Sequence, residues 1–160
     1  MTPRNRKRAK AAMLATAIAI PAEGLRHYAY VDPPGILTTC YGSTTDVKRG
    51  VYYSLEECKR RLNADMSLAI KLVDTCQPNL PENVLAAFGD AVYNLGPKIA
   101  CDTKNSTAAR LLADGRIEDA CRQLPRWNKA SILGQYIALP GLTKRRAAEM
   151  ELCLDETAIG

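Results

Sequence analysis

The sequence predicts an α+β fold in which a small antiparallel sheet lobe is joined by a long helix to a mostly helical second lobe. Three observations carry that expectation. Residues 28–53 alternate turn signals with residues suited to a pleated surface, a single apolar stripe at helical spacing follows Ser54, and every periodic stretch beyond Pro81 is helical. With 160 residues, 47% hydrophobic and 24% charged, the chain suits one packed domain or two lobes sharing an element. That balance excludes a disordered tail, a collagen-like fibre and a polytopic membrane protein. One Phe and one Trp leave a core that must be aliphatic and alanine-rich.

The formal net charge of +5 is concentrated at one end. Arg4, Arg6, Lys7, Arg8 and Lys10 precede any acid, and without them 17 basic residues face 17 acidic ones. The body is formally neutral, which argues against nucleic acid as a partner. Residues 11–22 are uncharged. As a helix they would span about 18 Å, short of a ~30 Å hydrocarbon core, so they do not form a stable membrane span. Two readings of residues 1–22 stand. One is an export signal or weak anchor in transient contact with the inner membrane, with Ala17-Ile-Ala19 as a small-x-small pattern. The other is an alanine-rich helix packed on the domain. The chain accordingly divides into a head, 1–21, and a domain, 22–160.

Within the domain, Asp32-Pro-Pro-Gly35 is a turn, Ile36 to Tyr41 a strand, and Gly42 to Asp46 a second turn, placing the sheet lobe at 25–53. Ser54-Leu-Glu-Glu57 is a capping box. Leu55, Cys58, Leu62, Met66, Ala69 and Val73 then mark one face of a linking helix over 54–75. Pro78 and Pro81 separate it from the helical lobe, 79–160. Glu82 to Leu95 is apolar on nearly all sides and should be the central buried helix, closed by Gly96-Pro97. Shorter helices are expected near Ser106–Asp114 and Arg116–Leu124, and a last one over Thr143–Asp155.

Cys40, Cys58, Cys76, Cys101, Cys121 and Cys153 are widely spaced, and His27 is the only histidine. That argues against a zinc site, and neither metal nor cofactor is expected. Spread cysteines behind an export-like head favour disulfides in an oxidising compartment over buried free thiols. Six cysteines allow fifteen pairings. Joining neighbours along the chain gives Cys40–Cys58, Cys76–Cys101 and Cys121–Cys153, tying sheet to linking helix, flank to flank of the buried helix, and last helix to second lobe.

Glu23 ends the apolar run, Asp32 opens the Pro-Pro-Gly turn, and Thr38 lies inside the following strand. Taken singly each has an ordinary explanation: a helix-end acid, a turn Asp, a β-branched strand residue. Together, an acid leaving a helix and an acid at a hairpin mouth can face each other across a cleft. Glycoside hydrolysis needs two carboxyl groups in unlike surroundings, one donating a proton to the leaving oxygen and one ionised. The acid on the apolar segment is the better donor, because desolvation disfavours a carboxyl's charged form.

The stretch from Glu23 to Thr44 resembles the signature of phage-type lysozymes, glycoside hydrolase family 24. Glu23-Gly-Leu-Arg26 is similar to that family's E-G-x-R, followed in register by Asp32, by Gly35 with Thr38, and by Gly42 with Thr44. Asn63-Ala-Asp65, Asp90 to Gly96, Trp127 and Gly141-Leu-Thr-Lys-Arg-Arg146-Ala-Ala-Glu149 resemble later segments, so that most of residues 22–155 is covered. The basic head and weak apolar run resemble disulfide-containing signal-anchor-release endolysins. The resemblance implies a lysozyme-like fold and a monomeric muramidase. It would be exported to the host periplasm and cell wall, there cutting the β-1,4 bond between N-acetylmuramic acid and N-acetylglucosamine in peptidoglycan glycan strands. It implies Glu23 as general acid, Asp32 as the water-orienting or stabilising carboxylate, and Thr38 as the hydroxyl that holds the water. Arg145 or Arg146 would pair with Glu23 across the cleft, the ordinary alternative for both being a solvated helix start. The intact Glu–Asp–Thr set weighs against a catalytically silent wall-binding module. Ser43 stands where the family often has His, so a His–Asp65 brace between the lobes is missing.

Overall fold

The computed structural model describes residues 1–155; residues 156–160, placed by the sequence in the helical lobe, lie outside the described residues. Its first element is a single helix, α1, over Pro3–Glu23. Pro3 occupies the first helical position, where a missing N–H costs nothing, and Thr2 caps the N-terminus by accepting from the Asn5 N–H at 3.1 Å. The expected division between residues 21 and 22 therefore falls inside a helix. Ala11, Ala12, Ala15 and Ala19 recur on one face of α1 and are all buried in the core. No helix among the described residues is long and apolar enough to cross a membrane.

Strands β1 (Arg26–Val31) and β2 (Leu37–Cys40) pair antiparallel, with Tyr30 opposite Thr38 and Val31 opposite Leu37. Their turn is built by Asp32. Its backbone N–H donates to the Ile36 carbonyl at 3.0 Å, and its Oδ1 accepts from the Ile36 N–H at 2.7 Å. Gly35 follows at φ +89°, a conformation that favours glycine.

Helix α2 (Leu55–Cys76) links the lobes. Ser54 caps it by accepting from the Glu57 N–H at 3.1 Å, whereas the Glu57 carboxylate turns to Arg60 and Arg61. Only half of the expected capping box forms, because two guanidinium groups one turn along outcompete a single backbone N–H. Arg61 continues to the sheet lobe. It donates to the Ser43 hydroxyl at 3.1 Å, to the carbonyls of Thr45 and Asp46, and packs 4.8 Å from the Tyr53 ring centroid.

Helix α3 (Glu82–Leu95) is buried from Asn83 to Val92. It crosses α2 closely at Gly89, where a Cβ would stand 2.2 Å from Ile70 Cδ1. Around it pack α4 (Lys98–Cys101), α5 (Thr107–Ala113), α6 (Ile117–Cys121), a 3₁₀ turn at Leu124–Arg126 and α7 (Pro140–Leu154). A second antiparallel hairpin, β3 (Lys129–Ile132) with β4 (Gln135–Ala138), occupies a stretch for which the sequence suggests no element. Its β4 residues are all exposed, so no alternation of burial marks it. Helix α7 begins at Pro140 rather than Thr143, the proline again filling the first position.

Disulfides join Cys40 to Cys58, Cys76 to Cys101 and Cys121 to Cys153. They close separations of 18, 25 and 32 residues, each worth about 3 kcal/mol on the chain-entropy account.

Candidate active site

A cleft of about 550 Å³ lies between the sheet lobe and the helical lobe. Four elements bring chemistry to it. The C-terminus of α1 supplies Glu23, the β1–β2 hairpin supplies Tyr30, Asp32 and Thr38, α2 supplies Asp65, and α3 supplies Tyr93 and Asn94. Glu23, Asp32 and Thr38, adjacent only in a motif, thus line one concavity.

Helix α1 ends at Glu23 because Gly24 takes φ +68° and turns the chain into β1. The Glu23 side chain is 21% exposed. Its Oε1 accepts from Arg145 Nη1 at 2.6 Å. Its other oxygen faces Gly42, where a Cβ would come within 3.1 Å at φ +86°. Across the cleft Thr38 is buried, and its hydroxyl is shared between Asp32 Oδ2 at 3.3 Å and the Ile36 carbonyl at 3.0 Å. The turn therefore fixes Asp32 by one oxygen and leaves the other beside Thr38, with both residues lining the cleft.

Arg145 is the residue of the adjacent arginine pair that reaches Glu23. It is 5% exposed and clamped from behind by Asp90, with Nε to Oδ2 at 2.9 Å and Nη2 to Oδ1 at 2.8 Å. Burial disfavours its charge, but the hydrogen bonds and charge of Asp90, then of Glu23, hold its pKa above the ordinary guanidinium value. Arg146 does not approach Glu23. It is fully buried, donates through Nη2 to Glu149 Oε2 at 2.7 Å and through Nη1 to the Trp127 carbonyl at 3.5 Å. Neither arginine is a solvated helix start. Burial, and a hydrogen bond shared with Asp90, push the Glu149 carboxyl up to about 9 despite Arg146.

Sequence reasoning passed over Asp90, Tyr93 and Asp65 as members of this site. Asp90 had a signal: a carboxylate in a helix apolar on nearly every side must find a buried cation. Tyr93, one turn further on α3, donates its hydroxyl to the Tyr41 carbonyl at 2.5 Å, pinning the residue that follows β2 to the helical lobe. Burial first, then the charges of Glu23 and Asp65, raise its phenol above the ordinary pKa. Burial likewise raises the Asp65 carboxyl, against the pull of Arg61 and Arg60.

Two carboxyl groups on different elements, one backed by a guanidinium and one paired with a hydroxyl, suit acid-assisted cleavage of a glycosidic bond. The phage lysozyme family model matches residues 21–149, which hold every residue of this cleft. The chain is similar to the SAR-endolysin of Pseudomonas phage phiKMV, 35% identical over 152 residues that cover 93% of this chain and 92% of that protein. In structure it is similar to the muramidase domain of SpmX from Asticaccaulis excentricus, with a TM-score of 0.77, 26% identity, and 91% and 95% of the two chains covered. The active form of the P1 phage endolysin Lyz shares the fold, with a TM-score of 0.76 at 22% identity over 88% and 83% of the chains. The chain belongs to the phage lysozyme family and is a glycoside hydrolase.

Proposed function

We propose that the chain hydrolyses the β-1,4 bond from N-acetylmuramic acid to N-acetylglucosamine in peptidoglycan, lysing its host. The observation that carries this reading is the meeting of Glu23 with the Asp32–Thr38 pair in one cleft. Glu23 gives its proton to the glycosidic oxygen as the bond to the anomeric carbon breaks. Arg145 then steadies the carboxylate left behind. Asp32 orients the attacking water and offsets positive charge on the ring. Thr38 holds that water by its hydroxyl, and the water's proton passes to Asp32 as the new C–O bond forms.

The test is clearing of outer-membrane-permeabilised Gram-negative cells by the wild type and by Glu23→Gln. The wild type should clear them and the variant should not. Equal clearing would remove Glu23 from the mechanism.

Residues 1–22 support export to the periplasm. A basic head precedes a weakly apolar run, as a signal-anchor-release segment requires, and relatives such as that of phage phiKMV are SAR-endolysins. In this reading the segment associates transiently with the inner membrane and then packs as α1. Fractionation of expressing cells should find the full chain in membrane and periplasm, and a chain lacking residues 1–20 in the cytosol. Periplasmic recovery of the shortened chain would contradict it.

A further inference from the structure

The basic head of α1 takes no part in the cleft, yet it is tightly held. Arg4 Nε and Arg8 Nε both donate to Asp74 Oδ2, at 2.7 and 2.6 Å. Arg4 Nη2 also donates to the Asp74 carbonyl at 3.1 Å, and Lys7 Nζ to the Leu80 carbonyl at 3.0 Å. Asp74 itself is 1% exposed, in the last turn of α2.

Helix polarity makes this a reciprocal cap. An N-terminus favours negative charge and a C-terminus positive charge. Helix α1 has no acid in its first turn, and α2 has no base in its last. Asp74 supplies what α1 lacks, while Arg4 satisfies one of the orphaned carbonyls at the end of α2. Between its ends, the fully buried side chains of α1 are alanines alone. Beside that row the half-buried Leu14 also packs against the core, and the methyls themselves offer only a shallow ridge along the helix. Directional hydrogen bonds hold its register at the two ends, from Asp74 at one and from Arg145 at the other. Glu23 is the last residue of α1, so a shift of the helix is a shift of that carboxyl.

We infer that Asp74 is a positioning residue for Glu23, acting through α1: by holding Arg4 and Arg8 it sets the register that places the Glu23 carboxyl against Arg145 and Gly42. The inference rests on the role proposed above for Glu23. A displacement of about 1 Å, caused far from the chemistry, can cost roughly a hundredfold in rate.

The experiment is steady-state turnover of purified peptidoglycan by the full chain, expressed per folded molecule, with the folded fraction read by near-ultraviolet circular dichroism. Asp74→Asn and the double variant Arg4→Gln/Arg8→Gln should each lower kcat about tenfold and leave KM within about twofold, because the groups that bind the glycan are untouched. The single variant Arg4→Gln alters a side chain that is 55% exposed and leaves Asp74 paired with Arg8, so it reports, with a loss of kcat in the same direction, even where Asp74→Asn or the double variant fails to fold. Arg6→Gln/Lys10→Gln removes the same two charges from exposed positions outside the cluster and should keep wild-type kcat, separating register from attraction to an anionic wall. Wild-type kcat in the Arg4/Arg8 variant, or an equal loss in the Arg6/Lys10 variant, overturns the inference. Glu23→Gln is run alongside. Its full activity would overturn the cleft reading and this one together, whereas an inactive Glu23→Gln beside an unimpaired Arg4/Arg8 variant overturns this one alone.

Discussion

Glu23, Arg145, Asp90, Glu149 and Arg146 form a line of charge running from the cleft into the core, all but Glu23 nearly or fully buried. Of the four buried groups, Arg145, Asp90, Glu149 and Arg146, it is Glu149 that holds a proton in the folded chain. That proton makes stability depend on pH. The folded chain holds it up to about 9, whereas an ordinary glutamate releases it near 4.5, so the native state binds more protons between those values. Stability from this group is complete below the lower value and is lost as pH rises through the upper one. The melting temperature should therefore fall as pH rises across that window, and Glu149→Gln should flatten the fall; an unchanged slope in the variant would contradict the assignment. At this scale the sequence was legible where chemistry sits in turns. Glu23, Asp32 and Thr38 stand in a motif whose glycines mark the bends. Arg145 and Arg146 could not be told apart, because neighbours on a helix point about 100° apart. Which one meets the cleft depends on how α7 packs, and its start at Pro140 was itself not evident.

Among the elements, α2 carries a mechanical task, since it runs from the sheet lobe to the helical lobe. In place of a histidine brace, Ser43 receives Arg61, which also holds two carbonyls of the 42–46 turn and lies over Tyr53. With Cys40–Cys58 beside it, this cluster fixes the tilt of the hairpin that carries Asp32 and Thr38. Arg61→Ala should lower stability by about 0.5–1.5 kcal/mol, since water can replace the guanidinium at the exposed carbonyls of Thr45 and Asp46, and should speed amide exchange in β1 and β2 before that in α3. Uniform exchange across both would contradict a local brace. The long elements were readable because α2 has one stripe and α3 is apolar all round, each bounded by Ser, Pro or Gly. The β3–β4 hairpin was not, because its strands are short and mostly solvent-facing, and Leu133-Gly134 is a weak turn signal. Helix α1 was ambiguous for a physical reason: a row of alanines suits a packed face and a weakly apolar segment equally well.

The whole molecule is a two-lobed enzyme whose cleft depends on parts distant in sequence, with α1 delivering Glu23, the hairpin Asp32 and Thr38, and α7 and α3 the groups behind them. Three disulfides close that arrangement at three junctions, lobe to linking helix, α2 to α4, and α6 to α7. In the proposed function Glu23 and Asp32 act on one sugar linkage. The direct measurement is mass spectrometry of the soluble fragments released from purified peptidoglycan, with reducing ends identified after borohydride treatment. The wild type should release fragments ending in N-acetylmuramic acid, and Glu23→Gln and Asp32→Asn should slow that release by roughly 10²–10⁴-fold. Fragments ending in N-acetylglucosamine, cleaved peptide bonds, or release by Glu23→Gln at the wild-type rate would contradict it.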